Sequence, residues 1–248
     1  MSKIKTLSDT YSIVKNNKYR SIAYNSSCEY TALNNASESI AVTTGEKSRS
    51  CSLGYFSISA TLGNFSYSLN NGRSSLAISS GSFSKVTISG YSTIGSITGS
   101  RSVCEVKGDR SISASTAIES SSKNNGYLSV SCATADYSEA SNDGIRSLSA
   151  VTGYGSIATN RGECSISIAS TYNSRAIVEG RESIAITNGL DCAAKGSIGC
   201  WLVLTEREKK RKEVSPIKNI KVVKVDGEII KPNTFYILKD NEIVEIKE

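Results

Sequence analysis

Few side chains in this sequence could do covalent or metal chemistry. They are seven cysteines (Cys28, Cys51, Cys104, Cys132, Cys164, Cys192 and Cys200), a large excess of serine hydroxyls, and scattered acids. There is no histidine, so a Ser-His-Asp or Cys-His device cannot be assembled. No GxSxG, GxGxxG or P-loop string occurs. The cysteines are odd in number and never spaced as CxxC, so their pattern points neither to a zinc site nor to a disulfide framework. They read as small residues in a reducing compartment. The expectation is a chain without enzymatic activity, cofactor or metal.

Composition narrows the class further. Of 248 residues only 38% are hydrophobic and 7% aromatic, too few for an ordinary Leu/Phe core. The net charge of +6 permits acidic partners without demanding them. The densest basic run, Arg207 and Lys209 to Lys212, is interleaved with Glu206, Glu208 and Glu213. It reads as a solvated connector ahead of a nucleic-acid or membrane patch. The opening MSKIKTLSDTYSIVKNNK lacks the apolar run of a signal peptide. No stretch approaches the ~20 apolar residues of a membrane-spanning helix. A protein made and kept in a cytoplasm, or packaged from one, is expected.

What positions all this serine is a repeat. Cut every nine residues from Tyr19, the sequence runs through twenty repeats to Ile198 without an insertion. Position three is Ser except at Tyr30, Thr93 and Cys192. Position five is Ala, Ser, Gly or Cys except at Val86, and position nine is Gly in fourteen repeats. A gapless period of this kind marks a solenoid. The alternation within each repeat predicts one short strand, and the glycine is expected to supply a turn with positive φ. Calcium-binding β-rolls also use nonapeptides but need GGxGxD, whereas Asp136, Asp143 and Asp191 stand apart. Threonines at position eight (Thr44, Thr98, Thr116, Thr134, Thr152) are too irregular for a flat ice-binding array.

Position four carries a second period. One set reads Ile22, Ile40, Ile58, Leu76, Ile94, Ile112, Val130, Leu148, Ile166 and Ile184, extending to Ile4 and Leu202. The intervening set includes Arg49, Lys85, Glu139 and Arg175. The unit is therefore 18 residues: two strands and two turns, one coil of a parallel β-roll. Charged position-four residues must face solvent, which turns positions three and five inward. In the same register the Ile row faces outward, reinforced by Val42, Ile78, Ile168 and Ile186. Such an apolar face predicts a homo-oligomer, with a trimer favoured. The alternative is a one-residue slip that packs the Ile row inside. Tyr19, Tyr55, Tyr91 and Tyr127 recur every 36 residues at position one. They are expected to flank the interface or, as the second reading, to form a stacking row for a glycan or single-stranded nucleic acid.

After Ser197 the pattern changes. Trp201 to Leu204 read as a capping strand, so residues 1–204 form the roll and 205–216 a charged linker. Residues 217–248 form a small β-meander that docks on the roll or on another subunit. The strings SIAITNG (183–189), SIAVTTG (39–45) and SLAISSG (75–81) resemble the head repeats of trimeric autotransporter adhesins. In those parallel β-rolls small residues fill each roll and Val/Ile rows meet at a trimer axis. This sequence departs from them in its shorter unit, and no signal peptide, heptad stalk or membrane anchor is expected from it. GSIGCWLVLTER (196–207) and KVDGEIIKPNTFYIL (224–238) give the layout a closer likeness to uncharacterised bacteriophage and prophage nonapeptide-repeat proteins. That likeness implies a viral or prophage origin, in host cytoplasm or virion. The expected function is a rigid structural or binding scaffold, an appendage or host contact. The alternative is an intracellular phage protein that sequesters a host defence factor or small ligand. Host protein, glycan or small molecule are the candidate partners; nucleic acid and membrane insertion are not expected.

Overall fold

The computed structural model describes residues 4–7, 13–209 and 215–246, with side chains from residue 15 onward. Those residues form an all-β parallel solenoid of 18 residues per coil, closed by antiparallel strands. Four-residue strands recur every nine residues, from Ile4–Leu7 to Ala193–Gly196. Each occupies positions four to seven of a repeat. Two compact units divide the chain, residues 1–126 and 127–248. In the first, strands such as Ile22–Asn25, Ile40–Thr43 and Ile58–Thr61 stack as one parallel sheet. Strands such as Thr31–Asn34, Arg49–Ser52 and Tyr67–Asn70 stack as the other. The second unit repeats this, with Leu148–Val151, Ile166–Ala169 and Ile184–Thr187 on one side and Ile157–Asn160 and Arg175–Val178 on the other. We call the two sheets the Ile face and the mixed face.

Burial alternates along nearly every strand. Positions three, five, seven and nine point inward, and four, six and eight point outward. The Ile row therefore lies on the surface, and the slipped register is not adopted. The interior is as narrow as its Ser and Ala content implies. Ser50, Ser59 and Ser68 come alternately from the two faces, and their hydroxyls meet at 3.0 Å.

The coils are joined by the position-three serines. Each backbone N–H donates to the serine hydroxyl one coil onward, as from Ser66 to Ser84 (3.0 Å) and from Ser84 to Ser102 (2.9 Å). Most of these hydroxyls share their single proton between the carbonyl two residues back and the position-nine carbonyl of the preceding coil. For Ser84 these are Ser82 O and Gly63 O, both at 3.3 Å. Asparagines at position seven tie the two faces together. Asn70 Nδ2 donates to Ser57 O (2.9 Å) and Leu76 O (3.2 Å), and its Oδ1 accepts from Gly72 N (2.9 Å). Asn34 and Asn160 repeat this arrangement.

The expected role of glycine is corrected. Positive φ falls at position two, on residues as varied as Arg20, Phe56, Leu128 and Asp191, with glycine there only at Gly155. The position-nine glycines, Gly189 among them, lack positive φ. They are needed because coils nearly touch at the corner. A Cβ on Gly99 would be driven into the Gly81 carbonyl. Ala36, Ala117, Ala135 and Thr171 occupy the same columns, so single rungs can give.

Where the interior swells, one residue compensates. Val86, Ile88, Ile97 and Val106 form a wholly buried cluster with Ala77 and Cys104. Gly95 faces this cluster, and a Cβ there would stand 2.6 Å from Cys104 Sγ and 2.9 Å from Val106 Cγ2. Interiors packed this tightly have no slack for a methyl group.

The end of the roll departs from the frame. Trp201, rather than Leu202, pairs with Ile184, so the last step is one residue short. A one-residue shift exchanges inside and outside. Leu202, expected in the outward row, is therefore fully buried, and Trp201 takes its place outside, 42% exposed. The backbone of Ile4–Leu7 pairs with Ile22–Asn25, but the Ile4 side chain lies outside the described residues, as do 210–214 of the connector. The C-terminal strands dock on the roll by extending both sheets. Ile217–Lys224 pairs antiparallel with Trp201–Arg207. Phe235–Lys239 meets Ala193–Gly196 at Ala194 and forms a hairpin with Glu242–Ile246. Leu202, Leu204, Val225, Ile230, Tyr236 and Leu238 seal the end.

Replacing Ser84 by Ala leaves the buried Ser66 N–H without an acceptor and is expected to destabilise by ~1–3 kcal/mol. Ser84→Thr, which keeps a hydroxyl at this position, should lose much less. Equal losses in urea unfolding would contradict the ladder. Gly95→Ala should cost about 1–3 kcal/mol by overpacking, and adding Cys104→Ala should recover part of it. Strict additivity of the two changes would show that they do not share space.

Candidate functional site

The Ile face is the most unusual surface of the molecule. Its outward residues are Ile22, Tyr24 and Ser26 in one coil, Ile40, Val42 and Thr44 in the next, and so on to Ile184, Ile186 and Asn188. Ten coils give thirty such positions, and none holds a charged residue. The thirty equivalent positions of the mixed face hold eleven, among them Arg49, Lys85, Glu105, Lys123, Glu139, Arg161 and Glu179. The two faces share backbone geometry and differ in what their side chains meet. The mixed face solvates its charges and pairs several, as Lys85 and Lys107 with Glu105 (2.9 and 3.1 Å) and Arg161 with Asp143 (3.1 Å). On the Ile face the predicted row is in place. Ile94, Ile112 and Ile166 are exposed, while Ile22, Ile40, Ile58, Leu76, Val130, Leu148 and Ile184 are half-buried. Val42, Ile78, Ile168 and Ile186 lie beside them.

The four tyrosines occupy the corner that leads into this face. They form no ring pair with one another; charged neighbours one coil away engage three of them. Tyr19 donates to Glu38 Oε1 (2.5 Å), with Arg20 over its ring. That bond holds the Tyr19 phenol above its usual pKa and the Glu38 carboxyl below its own. Tyr91 lies between Arg73 and Arg110, 5.2 and 5.7 Å from its ring centre. Tyr127 accepts from Arg146 (3.2 Å), and Tyr55 is exposed. The aromatic ring pairs stand at the other corner. Phe65 and Phe83 are parallel at 5.1 Å, and Tyr154 stands at 5.4 Å from Tyr137 and 5.5 Å from Tyr172. Reading positions one and two together in alternate repeats would have found them. Phe65 stacks on Phe83 and Tyr154 on Tyr172, whereas Tyr137 meets Tyr154 edge-on.

The cysteines are dispersed, and all seven are free. Cys104 lies in the core, where burial pushes its thiol up to about 11. Cys192 replaces a ladder serine and donates to Thr171 O (2.6 Å). Among the described residues no three potential metal ligands converge, and no helix is long and apolar enough to cross a membrane.

The cap holds the most strongly perturbed carboxylate among the described residues. Glu206 accepts from Lys218 Nζ (2.9 Å), Asn219 Nδ2 (2.7 Å), Asp240 N (2.9 Å) and Asn241 N (3.0 Å). Those donors, the Asn219 amide first, hold it down to about 2. It thereby clamps three segments: its own strand, the next strand and the hairpin turn. A cleft of about 360 Å³ opens beside it, lined by Asp191, Arg207, Lys209, Lys218 and Asp240 among others. Phe235 fixes the hairpin to the mixed face beneath Arg175 (4.8 Å) and Lys195 (4.5 Å).

The fold and its faces define a β-solenoid with one uncharged side. No protein-family model, curated protein or solved structure matches the chain.

Because the folded pKa of Glu206 lies below its ordinary 4.5, the clamp contributes stability above that value and loses it as pH falls toward about 2. Glu206→Gln should unfold at lower urea than the parent at pH 7. The gap between the two should close progressively below pH 4.5. A gap independent of pH would assign Glu206 a purely steric role.

Proposed function

We propose that the chain is a non-enzymatic scaffold: a rigid β-solenoid that assembles with copies of itself through the Ile face, most simply as a homotrimer. The observation that carries this reading is the thirty outward positions without a charge, set against eleven charged positions on the opposite face of the same coils. A surface kept in water has no reason to exclude Lys and Glu from one side only. A surface buried between subunits does, because an unpaired charge there loses its hydration. The mixed face and the two corners then remain free for contact with a host protein or glycan. The likeness of the 196–207 and 224–238 segments to phage and prophage proteins supports an origin there, as an appendage or host-contact part. The second reading, capture of a small ligand inside an infected cell, draws support from the cleft beside Glu206.

Native mass spectrometry and light scattering address both readings. The expected mass is three times the 26.4 kDa protomer. Ile112→Glu, which sets a charge on the face, should shift the population toward monomer while leaving the circular dichroism unchanged. A parent protein that is monomeric at micromolar concentration would overturn the assembly. A stoichiometric small molecule retained in the spectrum would favour the second reading.

A further inference from the structure

Within the second unit the rows of the Ile face run onto the cap. Trp201 takes the place of the next isoleucine after Ile184, and Val203 follows Ile186. Strand Ile217–Lys224 pairs alongside and sets Val222 opposite Val203. Ile220 and Val222 are 55% and 58% exposed, more than any isoleucine of the coil row among the described residues. Lys224 stands directly across from Trp201, and Arg207 lies at the other end of the strand pair. An aromatic anchor beside Val203, Val222 and Ile220, with basic residues at both ends of the strand pair, has the anatomy of the energetic centre of a protein interface. Ile217–Lys224 is also the last strand of its sheet, and outward Ile and Val on an edge strand are a liability unless covered.

We propose that Trp201, Val203, Ile220 and Val222 form the anchoring centre of the self-association surface, and that a second copy of this chain covers them. The inference rests on the assembly reading above. Two observations favour a copy over an unrelated partner. The patch continues rows that step at the coil spacing, Leu148, Ile166, Ile184 and Ala150, Ile168, Ile186, and another solenoid of the same step presents matching rows. The uncharged outward set also supplies the ~20–30 residues a side that a stable interface engages.

Trp201 is the only tryptophan, so its fluorescence reports on this patch alone. Acrylamide quenching and sedimentation of the full chain would be compared for the parent, Val222→Lys and Ile58→Lys. The expected result is an oligomer with Trp201 shielded in the parent. Val222→Lys should weaken association at least tenfold and raise quenching to that of an open indole, while Ile58→Lys weakens it less. If Val222→Lys fails to fold, Val222→Thr keeps a strand-forming side chain and should act in the same direction. An oligomer indifferent to Val222, with Trp201 freely quenched, overturns the anchor and leaves the assembly standing. Equal loss in Val222→Lys and Ile58→Lys also overturns it, since the patch then counts no more than any other rung. A monomeric parent removes both.

Discussion

The serine at position three is the constraint on which the rest of the structure depends. Its hydroxyl accepts a backbone N–H of the preceding coil and shares its proton between a carbonyl of that coil and one of its own, so it satisfies backbone groups that would otherwise be unpaired in a dry interior. This works only if successive coils keep the same length. An insertion of one residue would turn a whole strand inside out and break the ladder at two levels. The gapless 18-residue period thus follows from hydrogen bonding rather than from apolar packing. It also explains why a chain so poor in Leu and Phe can fold. The interior is held by many short polar contacts, each contributing little, and by backbone ladders on both faces.

A seam this narrow shifts the burden of specificity to volume. Ala, Ser and Gly are used at position five because the opposing residue is only a side chain away. Where larger residues enter, as at Val86 and Ile88, a glycine is set against them. The same closeness governs the corners, where glycine serves the approach of one carbonyl to the next coil, and the left-handed residue beside it can be almost anything. A few buried hydroxyls at position seven, including Thr43 and Ser52, have no partner where Asn34 and Asn70 have several. The asparagine column is thus incomplete, and single rungs are tolerated because neighbouring rungs remain intact.

Most of the fold was legible because strict periodicity converts one correct register into twenty. The charges at Arg49, Lys85, Glu139 and Arg175 determined which side faced water, and the Ile row followed. The glycine role was misread because sequence shows that a small residue is needed without showing whether φ or proximity needs it. Leu202 was misplaced because the frame was carried one rung too far: nothing in GSIGCWLVL marks the missing residue until Trp201 is seen paired with Ile184. The aromatic stacks were missed because they lie at two adjacent positions of alternate repeats, a spacing that a search for one column does not return. Glu206 could not have been singled out, since its four donors come from two other segments, two of them 34 and 35 residues away.

The shortened last step has a consequence beyond closing the roll. In the regular frame Leu202 would have continued the outer row and Trp201 would have entered the seam, which has no room for an indole. Dropping one residue reverses both. Leu202 and Leu204 go in to seal the open end, and the tryptophan goes out to the end of the uncharged rows. The following strand then widens that end with Ile220 and Val222 on the same side. One register change therefore terminates the solenoid and brings Trp201, Ile220 and Val222 together, exposed, at its end. The polar clamp at Glu206 holds the two strands that carry this surface in a fixed relation. Termination and the candidate contact surface are in this sense one structural event, and mutations in the cap should be read for effects on both.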